Sequence, residues 1–441
     1  MSTPSSGLRH SLSPRLVGMI AVGGVIGAGL FVGSTAFLRQ TGFLIIPLYT
    51  IAILLMIAQM RTLADMTARK PEAGSFIGQI RDALGARAGF IAGWGYVLYW
   101  CATAGSEIIA IGPLFNQLTG LPGPLGMGAL VALTLITNLI SARAYASGEA
   151  ALSLTKLGAL TLFIAVGVLS WCWPFISGIP TQNVGFPTAS LIPAGIGTAL
   201  AALPLLVQTL TGFEIATVAA MESPDPVRSV SHAARRLVPQ VGFLHVASLA
   251  LVLTIVPISA LQPGHSPFTT ALSHMGIPVG ARILTAIVLV AVTSCLNSAL
   301  FAASRVLYEL AETKDAPSNC RTLSSSGVPT RAVIYTAILE CIVAGLGILS
   351  PHDGYIMALS LSAMLIMFTY LFANAAQIHR LSASQTPGDT SKRMLAGITF
   401  AGFALTLLSI AFTASGRNDC LLSISTMAIL WALAAITHRK H

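Results

Sequence analysis

The chain reads as a succession of apolar runs of similar length separated by short polar connectors, and this rhythm constrains its fold more than any motif. A helix crossing a bilayer needs about 20 largely apolar residues. Runs of that order fall at 16–38, 43–63, 89–117, 125–141, 150–173, 193–221, 239–261, 280–310, 332–350, 354–378, 394–414 and 420–437. Hydrophobic residues make up 54% of the 441 and charged residues only 9%, too few to solvate a globular chain of this size. The pattern predicts an all-α polytopic membrane protein with twelve transmembrane helices, forming one membrane domain over 1–441. The opening "MSTPSSGLRHSLSPR" lacks the basic start, apolar core and cleavage site of a signal peptide, so the first helix is expected to be retained.

Charge sets the expected orientation. With the N-terminus inside, only Arg39, Arg282 and Arg417 of the 24 lysines and arginines fall on the outer side. Such asymmetry predicts cytoplasmic N- and C-termini in a multi-pass protein of the cytoplasmic (inner) membrane. The net charge of +9 forms no basic stripe, so no nucleic-acid partner is expected. The six cysteines show neither metal-ligand nor disulfide spacing and read as small core residues. Without a catalytic His/Asp/Glu set or a metal cluster, an enzyme is not expected, nor a cofactor or metal.

The first segment contains "GGVIGAGLFVGS" (23–34), five glycines in a dozen positions where the chain should be helical. An unpaired backbone group in hydrocarbon costs several kcal/mol, so a loosened helix is tolerable only where protein, water or ligand satisfies the freed groups. Close packing through Gly23/Gly27 and Gly29/Gly33 is one reading; a break near Gly27-Ala28-Gly29 that offers amides to an anion is the other. The sixth segment is interrupted in the same way, by Pro204 and then Thr209, Thr211, Gly212 and Glu214. Breaks in segments one and six are what a five-plus-five inverted repeat predicts, with substrate at the midplane between them. The repeats would be 16–173 and 193–378, followed by two additional helices over 394–437.

With "KPEAGSF" (70–76), "GFIAGWGYVLYW" (89–100), "GFEIATVAAMESPDP" (212–226) and the stretch from "CLNSALFAASRVLYELAETKDAP" to "GVPTRAV" (295–333), these residues resemble bacterial amino-acid permeases of the amino acid/polyamine/organocation superfamily. The similarity is to the branch containing the γ-aminobutyrate, aromatic, lysine and proline permeases. It implies a LeuT-like fold with broken helices one and six, and proton-coupled uptake by alternating access. Carried over by position, the amides of Ala28 and Gly29 beside Gly27 would hold a substrate carboxylate. Carbonyls near Val25, and near Gln208, Thr211 and Gly212, would receive the amine. Lys156 matches a fifth-helix lysine that stands where related transporters hold sodium, which makes it the proton-coupling candidate. Glu214 and Glu222 match acidic positions of the sixth-helix motif, as proton-coupling or gating groups, and Glu107 matches a third-helix glutamate.

Each intramembrane charge also has a plainer reading. Lys156 is otherwise a snorkelling lysine near a helix end, Glu107 and Glu214 hydrogen-bonded structural acids, and Arg305 and Glu309 a pair one turn apart on a helix. Glu340 reads as an oligomer contact or a protonated acid, and His245 as a packing residue. The aromatics Trp94, Tyr96, Tyr99 and Trp100 cluster in the third segment without declaring a role.

The expected function is import of an amino acid, γ-aminobutyrate or a neutral α-amino acid, together with a proton. The alternatives are an exchanger without proton coupling and, from another class, a transporter-like amino-acid sensor. The particular amino acid and the oligomeric state stay open at this point.

Overall fold

The computed structural model describes residues 7–177, 195–262, 264–350, 354–382, 388–409 and 414–438. The helices are α1 (Pro14–Val25), α2 (Ser34–Thr41), α3 (Ile45–Arg69), α4 (Phe76–Leu84), α5 (Ala86–Thr119) and α6 (Gly123–Ile140). They continue as α7 (Ala142–Ser177), α8 (Ile196–Ala201), α9 (Leu203–Gln208), α10 (Ile215–Ala219), α11 (Pro226–His232) and α12 (Val238–Ile255). The chain ends with α13 (Pro267–His274), α14 (Pro278–Glu312), α15 (Thr330–Leu349), α16 (Gly354–Ser382), α17 (Asp389–Ser409) and α18 (Ala414–Thr437). Short 3-10 turns and two π-helical stretches, Gly29–Gly33 and Ala233–Leu237, join some of them; no strand occurs among the described residues.

Eight helical stretches among the described residues are long and apolar enough to cross a bilayer. Fewer than twelve meet that criterion for identifiable reasons, the twelfth because its apolar part, Leu421–Thr437, is too short. Pro14–Arg69 runs as one stretch because the first two predicted segments are joined through a tight turn at Gly42–Leu44. The sixth segment is split into pieces too short to span alone, the longer being Ile196–Gln208. Residues 193–194 of that segment and 410–413 of the eleventh lie outside the described residues.

Burial divides the helices into an inner set and an outer set. α5 and α14 pack against each other at the centre, and α5 also meets α15, α16 and α18. α6, α7 and α15 turn apolar side chains outward: Leu133, Ile136 and Ile140; Leu154, Leu162 and Leu169; and Ile334, Ile338, Ile342 and Leu346. The last four recur every fourth residue, which puts them on one helix face. A stripe this apolar on a water-facing surface would drive association, so lipid is its natural cover. The interior is correspondingly polar, with Glu107, Glu149, Lys156, Glu214 and Arg305 all buried.

Two features differ from the expected ones. The apolar run puts the fifth segment at 150–173, but α7 begins at Ala142, so a charged stretch expected as connector is helix, and Glu149 within it is fully buried. Of the cysteines expected to be core residues, Cys101, Cys295 and Cys320 are buried, whereas Cys341 is exposed and Cys172 partly so. In a membrane protein a thiol facing lipid is as comfortable as one facing apolar side chains, and hydropathy alone cannot separate the two.

Candidate functional site

α1 is started by Pro14 in its first turn and by Ser13, whose Oγ accepts the Leu16 amide at 3.4 Å. It stops at Val25, where Ile26 turns extended (φ −94°, ψ 94°), and helical structure resumes through Gly29–Gly33. The second interruption runs from Thr209 to Glu214, between α9 and α10. Gly212 there takes φ +118°, a conformation that side chains oppose. A Cβ on it would stand 2.7 Å from the Gly24 carbonyl carbon, so the two broken segments meet backbone to backbone. Both breaks are therefore present, and they face each other.

The freed backbone groups have partners. Lys156 Nζ donates to the carbonyls of Gly23 at 2.7 Å and Ile26 at 2.9 Å, the first in the last turn of α1 and the second at the break itself. The lysine is fully buried, so it does not snorkel. On the amide side, Ala28 N–H donates to Glu107, with Oε1 and Oε2 each at 3.0 Å. The acid's place beside the backbone depends on Gly27, since a Cβ there would strike Glu107 Oε1 and come within 2.8 Å of Cys295 Sγ. The amide expected to receive a substrate carboxylate thus already holds a carboxylate, one belonging to the protein.

Gly24, Val25, Gly27 and Gly29 line the space between the breaks together with Tyr99, Thr103, Glu107, Gln208, Thr209, Thr211 and Cys295. Its volume is about 10 Å³, near the minimum that admits one water. The side chains are closed in over the site. Gln208 Oε1 is buried without a hydrogen-bond partner, an acceptor left over in this lining. The Gln208 carbonyl, expected to receive an amine, instead accepts the amide of Thr211 at 3.0 Å and its hydroxyl at 2.6 Å. The break is braced laterally by Tyr49 with Thr209 (2.7 Å) and Tyr99 with Thr211 (2.8 Å).

Glu214 stands behind the break and does not line this space. Its carboxylate accepts the Gly212 amide at 2.8 Å and the hydroxyl of Tyr370 at 2.7 Å, with Tyr96 at 3.4 Å. This arrangement caps the unwound turn. Glu222 forms an ion pair with Arg305 (3.1 Å), both side chains essentially fully buried. Arg305 also sits 4.1 Å over the ring of Phe301, which stacks on Tyr145 at 4.5 Å. The helix pair expected between Arg305 and Glu309 is thereby corrected: Glu309 turns instead to Ser75, whose amide donates to it at 3.2 Å. Spacing on one helix marks local neighbours, and tertiary partners 83 and 234 positions away outcompete them.

Removing Glu222 leaves a buried guanidinium unpaired, which typically costs about 3–5 kcal/mol. Glu222→Ala is expected to lower the thermal unfolding midpoint of the purified protein markedly, whereas exchanging both partners for apolar residues restores much of it.

Glu340 lies away from this site, whereas His245 backs the second break, its ring 6.2 Å from that of Tyr49, which bonds Thr209. The Glu340 carboxyl is buried with Oε1 unpaired, so the side chain points inward and does not present an oligomer contact. His245 is buried, with Nδ1 2.9 Å from the Val241 carbonyl, as a packing residue would be. Residues the sequence reading passed over include Cys295, whose Sγ donates to the Gly24 carbonyl at 3.3 Å, and Glu149. Glu149 carried a usable signal, an acid seven residues before Lys156 and hence on its helix face.

Two opposed backbone breaks, a lysine on carbonyls beside the first and a carboxylate on its freed amide meet at the centre of the helical bundle. The family model for amino acid permeases matches residues 17–430. The chain belongs to that family. This permease is 32% identical to the γ-aminobutyric acid permease of Bacillus subtilis (strain 168), the alignment covering 100% of this chain and 96% of that one. It is 30% identical to the L-asparagine permease of Escherichia coli (strain K12), covering 86% of this chain and 77% of that one. Among solved structures it is similar to the Eremococcus coleocola manganese transporter, with a TM-score of 0.62 at 15% identity, covering 98% of this chain and 96% of that one. That likeness bears on the fold alone, which is that of the LeuT-like transporters.

Proposed function

We propose that this permease imports an amino acid, γ-aminobutyrate or a neutral α-amino acid, together with a proton across the cytoplasmic membrane by alternating access. In this reading twelve helices cross the bilayer as a five-plus-five inverted repeat plus two, with both termini in the cytoplasm. The observation that carries it is the Ala28 amide: the unwound backbone holds a carboxylate, supplied here by Glu107. Main-chain dipoles that satisfy one carboxylate in a dry site satisfy another of the same shape. The relatives named as γ-aminobutyrate and asparagine permeases support an amino acid as the occupant.

A substrate enters only if Glu107 gives way, because the present space is about 10 Å³. Displaced from Ala28, its carboxylate stays in the same small chamber and meets the incoming ammonium, with Gln208 Oε1 as a second acceptor. Glu107→Gln removes the charge but keeps the shape. A charge-assisted hydrogen bond contributes about 1.5–3 kcal/mol, so the substrate's half-saturation concentration is expected to rise roughly 10- to 100-fold. An unchanged or lower value in tracer uptake would assign Glu107 a structural role only.

Lys156 is the proposed coupling group. Protonated, it ties the Gly23 and Ile26 carbonyls, at the end of α1 and at the break, to α7 and favours this closed arrangement. As a neutral amine it donates more weakly and lets α1 separate from α7. A proton drives transport only through such a difference between states. Proteoliposome uptake of labelled γ-aminobutyrate and L-asparagine, with and without an imposed pH gradient, tests the reading. Accumulation that follows the gradient supports symport, exchange indifferent to it supports the exchanger, and binding without flux supports the sensor.

A further inference from the structure

The mechanism above leaves a buried acid unused. Glu149 is on α7, two helical turns before Lys156, and both side chains reach the same residue of α1. Lys156 Nζ donates to the Gly23 carbonyl at 2.7 Å, and a Cβ on Gly23 would strike Glu149 Oε1. The carboxylate accepts the hydroxyl of Ser294, and Asn297 Nδ2 donates to Oε2 at 3.0 Å. The Asn297 amide cannot turn over, because its Oδ1 already accepts from Thr137 Oγ1 at 2.9 Å and Asn138 Nδ2 at 2.8 Å. Glu149 therefore sits in a cradle of oriented donors that suits a carboxylate.

The titratable and charged groups around it are Lys156 and Tyr145 on α7, Cys295 and Arg305 on α14, and Glu107 on α5 beyond Lys156. Gly23 on α1 and Thr137 and Asn138 on α6 bring none. Lys156 is the cation that bears most directly on it. On the other side, toward the N-terminal face, Tyr145 donates to Ser298 at 3.2 Å and stacks on Phe301, which lies under Arg305 and its partner Glu222. Glu149 thus lies between the lysine and the layer of Tyr145, Phe301 and the Arg305–Glu222 pair.

We infer that Glu149 is the inward acceptor of the coupling proton, passing it from Lys156 to the cytoplasm when the Tyr145, Phe301 and Arg305–Glu222 layer opens. The inference rests on the proposed coupling at Lys156. In the transfer, carried by one bridging water because the two groups make no direct contact, one N–H bond of the ammonium breaks and one O–H bond forms on the Glu149 carboxylate. The pair remains neutral overall, as amine plus carboxylic acid, and the acid then loses its proton to cytoplasmic water, with no oxidant or other reactant needed. A neutral pair inside the closed protein avoids the cost of stranding a lone charge there.

The test compares wild type, Glu149→Gln and Glu149→Asp in proteoliposomes with labelled γ-aminobutyrate, or labelled L-asparagine if that is what wild type takes up. Accumulation under an inward pH gradient, its dependence on internal pH, and exchange at equal pH are measured on each. Glu149→Gln is expected to lose at least tenfold in gradient-driven accumulation and to lose the dependence on internal pH, while exchange stays within about threefold of wild type. Glu149→Asp is expected to restore accumulation in part with a displaced pH profile. Two outcomes overturn the inference alone: Glu149→Gln accumulating with the wild-type pH profile, or losing exchange as fully as accumulation. A wild type that exchanges but ignores the gradient overturns the coupling reading and this inference with it, and is recognised before any variant is compared.

Discussion

Lys156→Gln is expected to abolish gradient-driven accumulation, by tenfold or more, while leaving a folded protein that still binds substrate. Glutamine is the informative choice. Its amide can donate to the Gly23 and Ile26 carbonyls that now take 2.7 and 2.9 Å bonds from Nζ, but it carries no exchangeable charge. Alanine is a harsher test, since it orphans both carbonyls in a buried site, each costing about 1–3 kcal/mol, and leaves Glu149 without its principal cation. Lys156→Ala is accordingly expected to lose accumulation and stability together. Lys156→Arg keeps a permanent cation, and on the proposed mechanism it exchanges but does not accumulate. Undiminished accumulation by the glutamine variant, measured as the ratio of internal to external label under a pH gradient, would remove Lys156 from the coupling step.

Gly212→Ala is expected to be severely damaging to transport. Two costs combine at this position. The backbone takes φ +118°, where a side chain is disfavoured by roughly 1–2 kcal/mol. The added carbon would also stand 2.7 Å from the Gly24 carbonyl carbon and 2.9 Å from the Val25 nitrogen, backbone atoms that cannot rotate away. Overpacking of this kind typically costs about 1–3 kcal/mol more. Because the clash falls where the two breaks meet, the backbone site itself is displaced. Substrate-dependent thermal stabilisation is therefore expected to vanish, and uptake to fall by at least 30-fold. Gly128→Ala is a fitting control, since nothing stands within 4 Å of its Cβ, and it is expected to behave as wild type.

Segment placement was legible because a bilayer leaves the backbone few choices: every polar group must be paired within the segment, so apolar length announces a helix. The breaks were legible for the converse reason. Gly27 and Gly212 stand where good helix formers would otherwise be expected, and each leaves room that a methyl group would fill. Helix ends were harder, because an α-helix does not stop where hydropathy does: α7 continues to Ala142 and carries Glu149 into the interior. Partnerships were harder still. Glu214 is capped by Tyr96 and Tyr370, residues 118 and 156 positions away, and Glu222 finds Arg305 rather than a neighbour in sequence. The occupancy of Ala28 by Glu107 could not be read from either segment separately, because it arises from packing α5 against the break.

The central claim is that unwound backbone at the first break grips the carboxylate of an amino acid while Glu107 and Gln208 take its ammonium. Thermal unfolding of the purified protein against a panel of free amino acids, each beside its methyl ester and its decarboxylated amine, measures this directly. A ligand at 100 times its Kd stabilises the folded state by about 2.7 kcal/mol. The account predicts that at least one free amino acid raises the midpoint by several degrees and that its ester and amine do not. Equal stabilisation by the ester or the amine, or none by any amino acid, would contradict it.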